Sequence, residues 1–300
     1  MKTAEELVDA TRAKREGREY RGDCPVHGGR SFCFREKDGR LVFVCRAGCS
    51  QGDVISALKK MGLWGNEVDQ DRIYSPPPPE PPDDGKRRIE RAEKIWDESQ
   101  EITHGDPVHK YLTGRGIVID TWPDDLHTHP ALPYWSIDDN EKPVKIGSFP
   151  AMIGVVRNPQ GRPVALHRTY LTDDGHKASV DSPKKILKVF DLAGSSVRLF
   201  TPVDGLLAIT EGVEDALSAW VLWRIPTWAC LGTSGMKAFE PPAGIWKLIV
   251  FADRDENGAG QKAALELAKK LKRKIAVSVR LPDGHKDLNA LLMERATHAV

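Results

Sequence analysis

Leu206-Leu207-Ala208-Ile209-Thr210 runs straight into Glu211-Gly212, and Lys247-Leu248-Ile249-Val250-Phe251-Ala252 runs into Asp253-Arg254-Asp255. Short apolar runs separated by helical patterns of about a dozen residues read as buried parallel strands joined by crossover helices. Ligands of such a sheet gather at the carboxyl ends of its strands, so Glu211, Asp253 and Asp255 are expected at one sheet edge. Three carboxylates there repel one another unless cations sit among them. Mg²⁺ (or Mn²⁺) suits the place, because it takes hard oxygen ligands, keeps several waters and is completed by substrate phosphates. Strand alternation points both acids of Asp-x-Asp to one side. Gly212 allows a metal or phosphate close to the backbone, at the positive end of the helix it opens.

The order of these motifs carries a resemblance. A strand ending in Glu-Gly, then Leu231-Gly232-Thr233-Ser234-Gly235, then Asp-x-Asp followed by the turn Glu256-Asn257-Gly258-Ala259-Gly260, resembles the toprim domain. Bacterial DnaG-type primases, topoisomerases, OLD-type nucleases and recombination mediators share that domain. The resemblance implies an α/β fold with a Rossmann-like parallel sheet, with Glu211, Asp253 and Asp255 as catalytic, Mg²⁺-holding residues. It adds Asp215, one helical turn after Glu211, and Asp287 of Lys286-Asp287-Leu288-Asn289 as further metal ligands. Where primases carry a second acid in that last motif, this chain has Asn289.

At 300 residues, 40% of them hydrophobic, the chain is long enough for two or more domains with cores of their own. With 44 Lys and Arg against 43 Asp and Glu, net charge alone does not announce nucleic-acid binding, and any such surface must be local. The charged N-terminus and the lack of a long apolar run predict no leader, no membrane partner and a cytoplasmic protein.

Four of the five cysteines precede residue 50. Cys24-Pro25-Val26-His27 and Cys45-Arg46-Ala47-Gly48-Cys49 form two ligand knuckles around an alternating segment with Asp38-Gly39 at its turn. Folding that hairpin brings Cys24, His27, Cys45 and Cys49 around one tetrahedral Zn²⁺ with no open position, so the zinc is structural. A module this small gains folding free energy from its metal. Cys33 lies at neither knuckle and reads as a core thiol. Residues 3–20 are compatible with a charged helix.

The stretch from Ser75 to Lys86, SPPPPEPPDDGK, reads as an extended linker, at about 3.1 Å per residue. A helix is expected from Arg87 to Ile102, and a second from Asp106-Pro107 to Gly114 or Gly116. Residues 150–170 read as a β-hairpin turning at Asn158-Pro159-Gln160-Gly161, followed by a basic stretch. His104, His109, His127 and His129 lack metal spacing.

The N-terminal module resembles the zinc ribbon of bacterial primases, with three residues instead of the commoner two between its last cysteines. The basic hairpin resembles the subdomain that precedes toprim in primases. Together these imply the division 1–70 zinc ribbon, 71–86 linker, 87–200 basic α+β subdomain and 201–300 toprim domain. They imply Arg162, Arg168, Lys184, Lys185 and Gly212 as nucleotide- or template-binding residues. The activity implied is DNA-dependent primer synthesis by nucleotidyl transfer. Its partners would be single-stranded DNA, ribonucleoside triphosphates and a replicative helicase in trans. A Mg²⁺-dependent toprim nuclease and a non-catalytic DNA-binding adaptor are the alternatives.

Overall fold

The computed structural model describes residues 4–16, 19–37, 40–47, 49, 51–64, 84–138, 142–255 and 258–298. The Asp38-Gly39 turn, Gly48, linker residues 71–83 and the turn residues Glu256 and Asn257 lie outside them. The chain divides into two compact units, 1–81 and 82–300.

The first unit runs α1 (Ala4–Ala10), β1 (Lys14–Glu16), β2 (Glu19–Gly22), β3 (Phe32–Lys37), β4 (Arg40–Cys45) and α2 (Gln51–Lys60). The helix expected over residues 3–20 stops at Ala10. Thr11 Oγ1 donates back to the Leu7 carbonyl and Arg12 takes a left-handed φ of 49°, after which the chain turns into β1 and β2. The four strands form one antiparallel sheet in sequence order. Phe32, Phe34 and Phe43 pack with Leu7, Val54 and Leu58 in its core. Cys33 is buried, as its place in β3 suggests.

The second unit contains α3 (Asp84–Asp97), β5 (Gln100–Glu101), α4 (Pro107–Thr113), β6 (Leu126–Ile137), β7 (Pro143–Arg157), β8 (Pro163–Tyr170), β9 (Lys184–Lys188), β10 (Ser196–Arg198), β11 (Leu206–Thr210), α5 (Val213–Trp223), β12 (Thr227–Ala229), α6 (Thr233–Ala238), β13 (Lys247–Phe251), α7 (Ala259–Leu271), β14 (Ala276–Arg280) and α8 (Leu288–His298). Helix α3 begins at Asp84, inside the stretch read as linker. It ends before Ile102, because Gln100 and Glu101 pair with Thr128 and His127 of β6. Helix α4 starts as expected, with Asp106 Oδ1 accepting the His109 N–H at 2.8 Å and Pro107 in the first turn.

All ten strands of this unit belong to one sheet, ordered β14-β13-β11-β12-β10-β7-β6-β5, with β8 on β7 and β9 on β8. The β14, β13, β11 and β12 segment is parallel. Short β10 pairs antiparallel with both β12 and β7, carrying the sheet across residue 200 without a break. Buried runs explain the parallel segment. Leu207, Ile209, Leu248 and Val250 face Ala263, Leu267 and Leu271 of α7, whereas Ala208, Ile249 and Phe251 face Ala219 of α5 and Leu288 and Leu291 of α8. Alternate residues thus bury both faces, and helices cover each side.

Candidate active site

The register Ile209↔Val250 between parallel β11 and β13 brings Glu211 and Asp253 out at the same sheet edge. Gly212 caps α5, and a Cβ there would stand 3.0 Å from Asp215 Oδ2 and 3.6 Å from Glu214 Oε2, so any other residue would crowd the Asp215 carboxylate. Gly260, near the start of α7, has the same role toward Glu211. A Cβ on it would lie 2.7 Å from Glu211 Oε1. Asp287 caps α8, its Oδ1 accepting the Ala290 N–H at 2.8 Å. The Arg254 N–H donates to the Lys286 carbonyl at 2.7 Å and ties this loop to the Asp-x-Asp turn.

The sequence-predicted acids therefore share one neighbourhood, and their mutual repulsion raises Glu211, Asp215 and Asp253. Burial first, then the charges of Asp255 and Asp215, lifts Glu211 to about 7. Burial, Asp253 and Asp287 lift Asp215 to about 7, against the Asn289 N–H that donates to its Oδ1 at 3.1 Å. Burial, Glu211, Asp255 and Asp287 lift Asp253 to about 7, opposed by Lys286. Glu211 Oε1 is buried with no hydrogen-bond partner. A cation would both satisfy that oxygen and remove the repulsion, so this donor set of hard oxygens fits Mg²⁺ or Mn²⁺.

Asn289 supplies no ligand. It is 3% exposed, and its Nδ2 donates to the Arg115 carbonyl at 2.9 Å and to Ser218 Oγ at 3.1 Å, binding α8 to α5 and to the loop after α4.

The basic residues divide by strand parity. Lys184 lies opposite Thr169, and its Nζ reaches Glu214 Oε1 at 2.8 Å and Oε2 at 2.9 Å. Tyr111 Oη donates to the same Oε1 at 2.7 Å. Burial alone would raise Glu214; Lys184 and Tyr111 outweigh it and bring the carboxyl to about 2. His167, wholly enclosed nearby, falls to about 4 through burial and then the charge of Lys184. Arg168 and Lys185 are cross-strand partners on the other face, which packs against α3. Arg168 is buried and donates to Tyr170 Oη at 3.3 Å, while Lys185 Nζ donates to the Trp135 carbonyl at 2.6 Å and lies 3.7 Å from the Tyr134 ring centroid. Arg162 is exposed on the β7–β8 turn, at the opposite end of β8 from Thr169, roughly 20 Å away at about 3.3 Å per residue. Of the four predicted basic contacts, only Lys184 is brought beside the acids.

Two cations that sequence reading left without a role lie near the Lys184–Glu214–Tyr111 group. Exposed Lys177 lies within the field of Lys184, Glu214, Arg115 and Asp215, and burial of its stem followed by the Lys184 charge lowers its ammonium. Arg115 Cζ is 5.6 Å from the Tyr111 ring centroid. The signal for Arg115 was available in Gly114-Arg115-Gly116, a tight helix exit that aims a cation.

In the first unit, one ligand atom from each of Cys24, His27, Cys45 and Cys49 lies within 4.8 Å of the others. Among the described residues this quartet is the one Cys, His, Asp or Glu group closed up enough to hold an ion as it stands. Cys24 and Cys49 Sγ are 3.9 Å apart, and His27 Nε2 and Cys45 Sγ 3.3 Å, the edge lengths of a tetrahedron of about 2.3 Å bonds. Burial raises the Cys45 thiol, yet the hydrogen bonds it accepts, from Ser31 foremost, bring it down to about 6, whereas burial and its thiol neighbours push Cys49 up to about 12. A divalent metal would remove that conflict by ionising all three thiols.

Residues 206–298 match the toprim domain family, and residues 86–199 match a domain of unknown function, DUF7146. No curated protein matches the chain. Among solved structures, a DNA primase domain from Pseudomonas aeruginosa is 16% identical with a TM-score of 0.44, over 71% of this chain and 76% of that one. The RNA polymerase domain of the Mycobacterium tuberculosis primase DnaG is 16% identical with a TM-score of 0.42, over 72% and 80%. The primase fragment of the bacteriophage T7 primase-helicase protein is 17% identical with a TM-score of 0.39, over 63% and 66%. With TM-scores below 0.5, these likenesses carry no functional conclusion. Residues 206–298 form a toprim domain, preceded in the chain by an α+β segment that shares its sheet and by a small antiparallel sheet bearing a Cys/His cluster.

Proposed function

We propose that the protein is a primase, a nucleotidyltransferase that joins ribonucleotides on a single-stranded DNA template. The observation that carries this reading is the set of acids at the carboxyl ends of β11 and β13, with an unpartnered buried oxygen on Glu211 and with Lys177 in the field of Asp215. Glu211, Asp253 and Asp255 would hold Mg²⁺ or Mn²⁺, with Asp215 and Asp287 at its margin. Bound there, such a metal would supply Lewis acidity, lowering the pKa of an attacking 3′-hydroxyl and stabilising charge on the α-phosphate and the leaving pyrophosphate. The chain's own groups bind and orient. Lys177 and Arg115 would neutralise nucleotide phosphates. Gly212 and Gly260 leave space beside Asp215 and Glu211.

Zn²⁺ on Cys24, His27, Cys45 and Cys49 would be structural, holding a ribbon (1–70) that engages template DNA. The linker read over 71–86 gives way to α3 at Asp84, and the basic subdomain (87–200) and the toprim domain (201–300), which β10 joins into a single folded body, complete the division. A replicative helicase in trans is a proposed partner. Among the described residues no helix is long and apolar enough to cross a membrane.

The test incubates the protein with single-stranded DNA, labelled ribonucleotides and Mg²⁺, beside Asp253→Ala. Labelled oligomers from the wild type alone support the proposal. Template degradation without synthesis would replace it with a nuclease, and DNA binding untouched by Glu211→Gln without either activity would replace it with an adaptor.

A further inference from the structure

Glu214 immediately precedes Asp215, and its carboxylate is 4% exposed, whereas the Lys184 side chain it holds is 39% exposed. Both Glu214 oxygens bond Lys184 Nζ, at 2.8 and 2.9 Å, and Tyr111 fills a further lone pair at 2.7 Å. Glu214 Oε2 and Asp215 Oδ2 lie together over Gly212, 3.6 and 3.0 Å from where its Cβ would stand. Glu214 thus anchors a half-exposed ammonium on a carboxylate that adjoins Asp215. A lysine stem is long enough to pivot past it toward the cluster, where Glu211 Oε1 is buried without a hydrogen-bond partner. Released, Lys184 would act as a resident counter-ion there and compete with any divalent cation.

We propose that Glu214 is a positioning residue that holds Lys184 away from the acids and so keeps their charge available to a divalent metal. This rests on the reading of those acids as metal-holding. An ordinary structural clamp makes a different prediction. Breaking a clamp from either side loosens α5 and weakens metal binding, whereas removing a competitor from one side and freeing it from the other gives opposite results.

The experiment titrates the full chain, zinc retained, with Mn²⁺ and follows free Mn²⁺ by electron paramagnetic resonance. Glu214→Gln leaves a hydrogen-bonding isostere and frees Lys184, and Mn²⁺ affinity should fall about fivefold or more, the effect of one unit charge several ångström from a divalent ion in a high effective dielectric. Lys184→Met should bind Mn²⁺ as tightly as the wild type or more tightly. The double variant Lys184→Met/Glu214→Leu, which replaces the pair by apolar packing, should return to within about twofold of the wild type. Equal weakening in Glu214→Gln and Lys184→Met, or no change in Glu214→Gln, overturns the proposal. If Glu214→Gln does not fold, Lys184→Met decides, and weaker binding than in the wild type refutes it. Asp253→Ala separates the two levels: binding unchanged there removes the metal reading and this inference with it. Binding lost there but unaltered in Glu214→Gln removes this inference alone.

Discussion

Replacing Asp253 by asparagine should make the metal-free protein more stable at pH 8. Burial and the charges of Glu211, Asp255 and Asp287 lift this carboxyl to about 7, from about 3.9 in an unfolded chain. Between those values the folded state holds a proton that the unfolded state has released, so stability falls as pH rises and the full cost is present above pH 7. At about 1.4 kcal/mol per tenfold change in proton affinity, the upper bound is about 4 kcal/mol. Asp253 is only partly buried and shares its repulsion with the other acids, which reduces the net cost to about 1–2 kcal/mol. The amide of the variant carries no charge and escapes that cost. For a unit of this size the gain corresponds to a rise in melting temperature of about 2–8 °C. Thermal unfolding of wild type and Asp253→Asn in chelator-treated buffer, at pH 8 and pH 5, measures it. The gain should shrink to about a third at pH 5, where most of the wild-type carboxyl is already protonated. Adding Mg²⁺ at pH 8 should raise the wild type toward or past the variant. A variant no more stable at pH 8, or equally favoured at both pH values, would refute the claim of crowded, unpaired acids.

Stripping zinc with a strong chelator should abolish hydrogen-exchange protection in β3 and β4 while β11 and β13 keep theirs, since the small first unit depends on its metal for folding; surviving protection in β3 and β4 would count against the Cys/His site. Asn289→Asp should destabilise the protein by about 1–3 kcal/mol, because a carboxylate would replace the donor to the Arg115 carbonyl and Ser218 Oγ. It should not tighten Mn²⁺ binding, and a gain in affinity would show that position 289 faces the metal after all.

Much of the fold was legible because its signals are local. The apolar runs that end in Glu211 and Asp253 have the length and composition of buried strands, and the two knuckles are joined by an alternating hairpin. What escaped was long-range. The twelve residues of β6 hide behind Pro130 and Pro133, where the pairing with β7 slips at a bulge between His129 and Leu132. Three-residue β10 is too short to show a period, yet it joins the basic subdomain to the toprim sheet. Strand parity could have warned that Lys184 and Lys185, being adjacent, face opposite sides, and that Arg168 opposes Lys185. The Lys184–Glu214 pair links residues thirty apart in sequence, and nothing near either one announces the other. Asn289 was read as a lost acid because motif comparison sees identity; the structure shows it as a hydrogen-bonded core residue.

The account stands on a divalent ion bound among the acids, and anomalous diffraction from crystals grown with Mn²⁺ and a nucleotide addresses it most directly. A manganese peak about 2.1 Å from carboxylate oxygens of Glu211 and Asp253, with Asp255 alongside, is the expected result. A cleft without a peak, or one filled by the ammonium of Lys184 or Lys286, would contradict it.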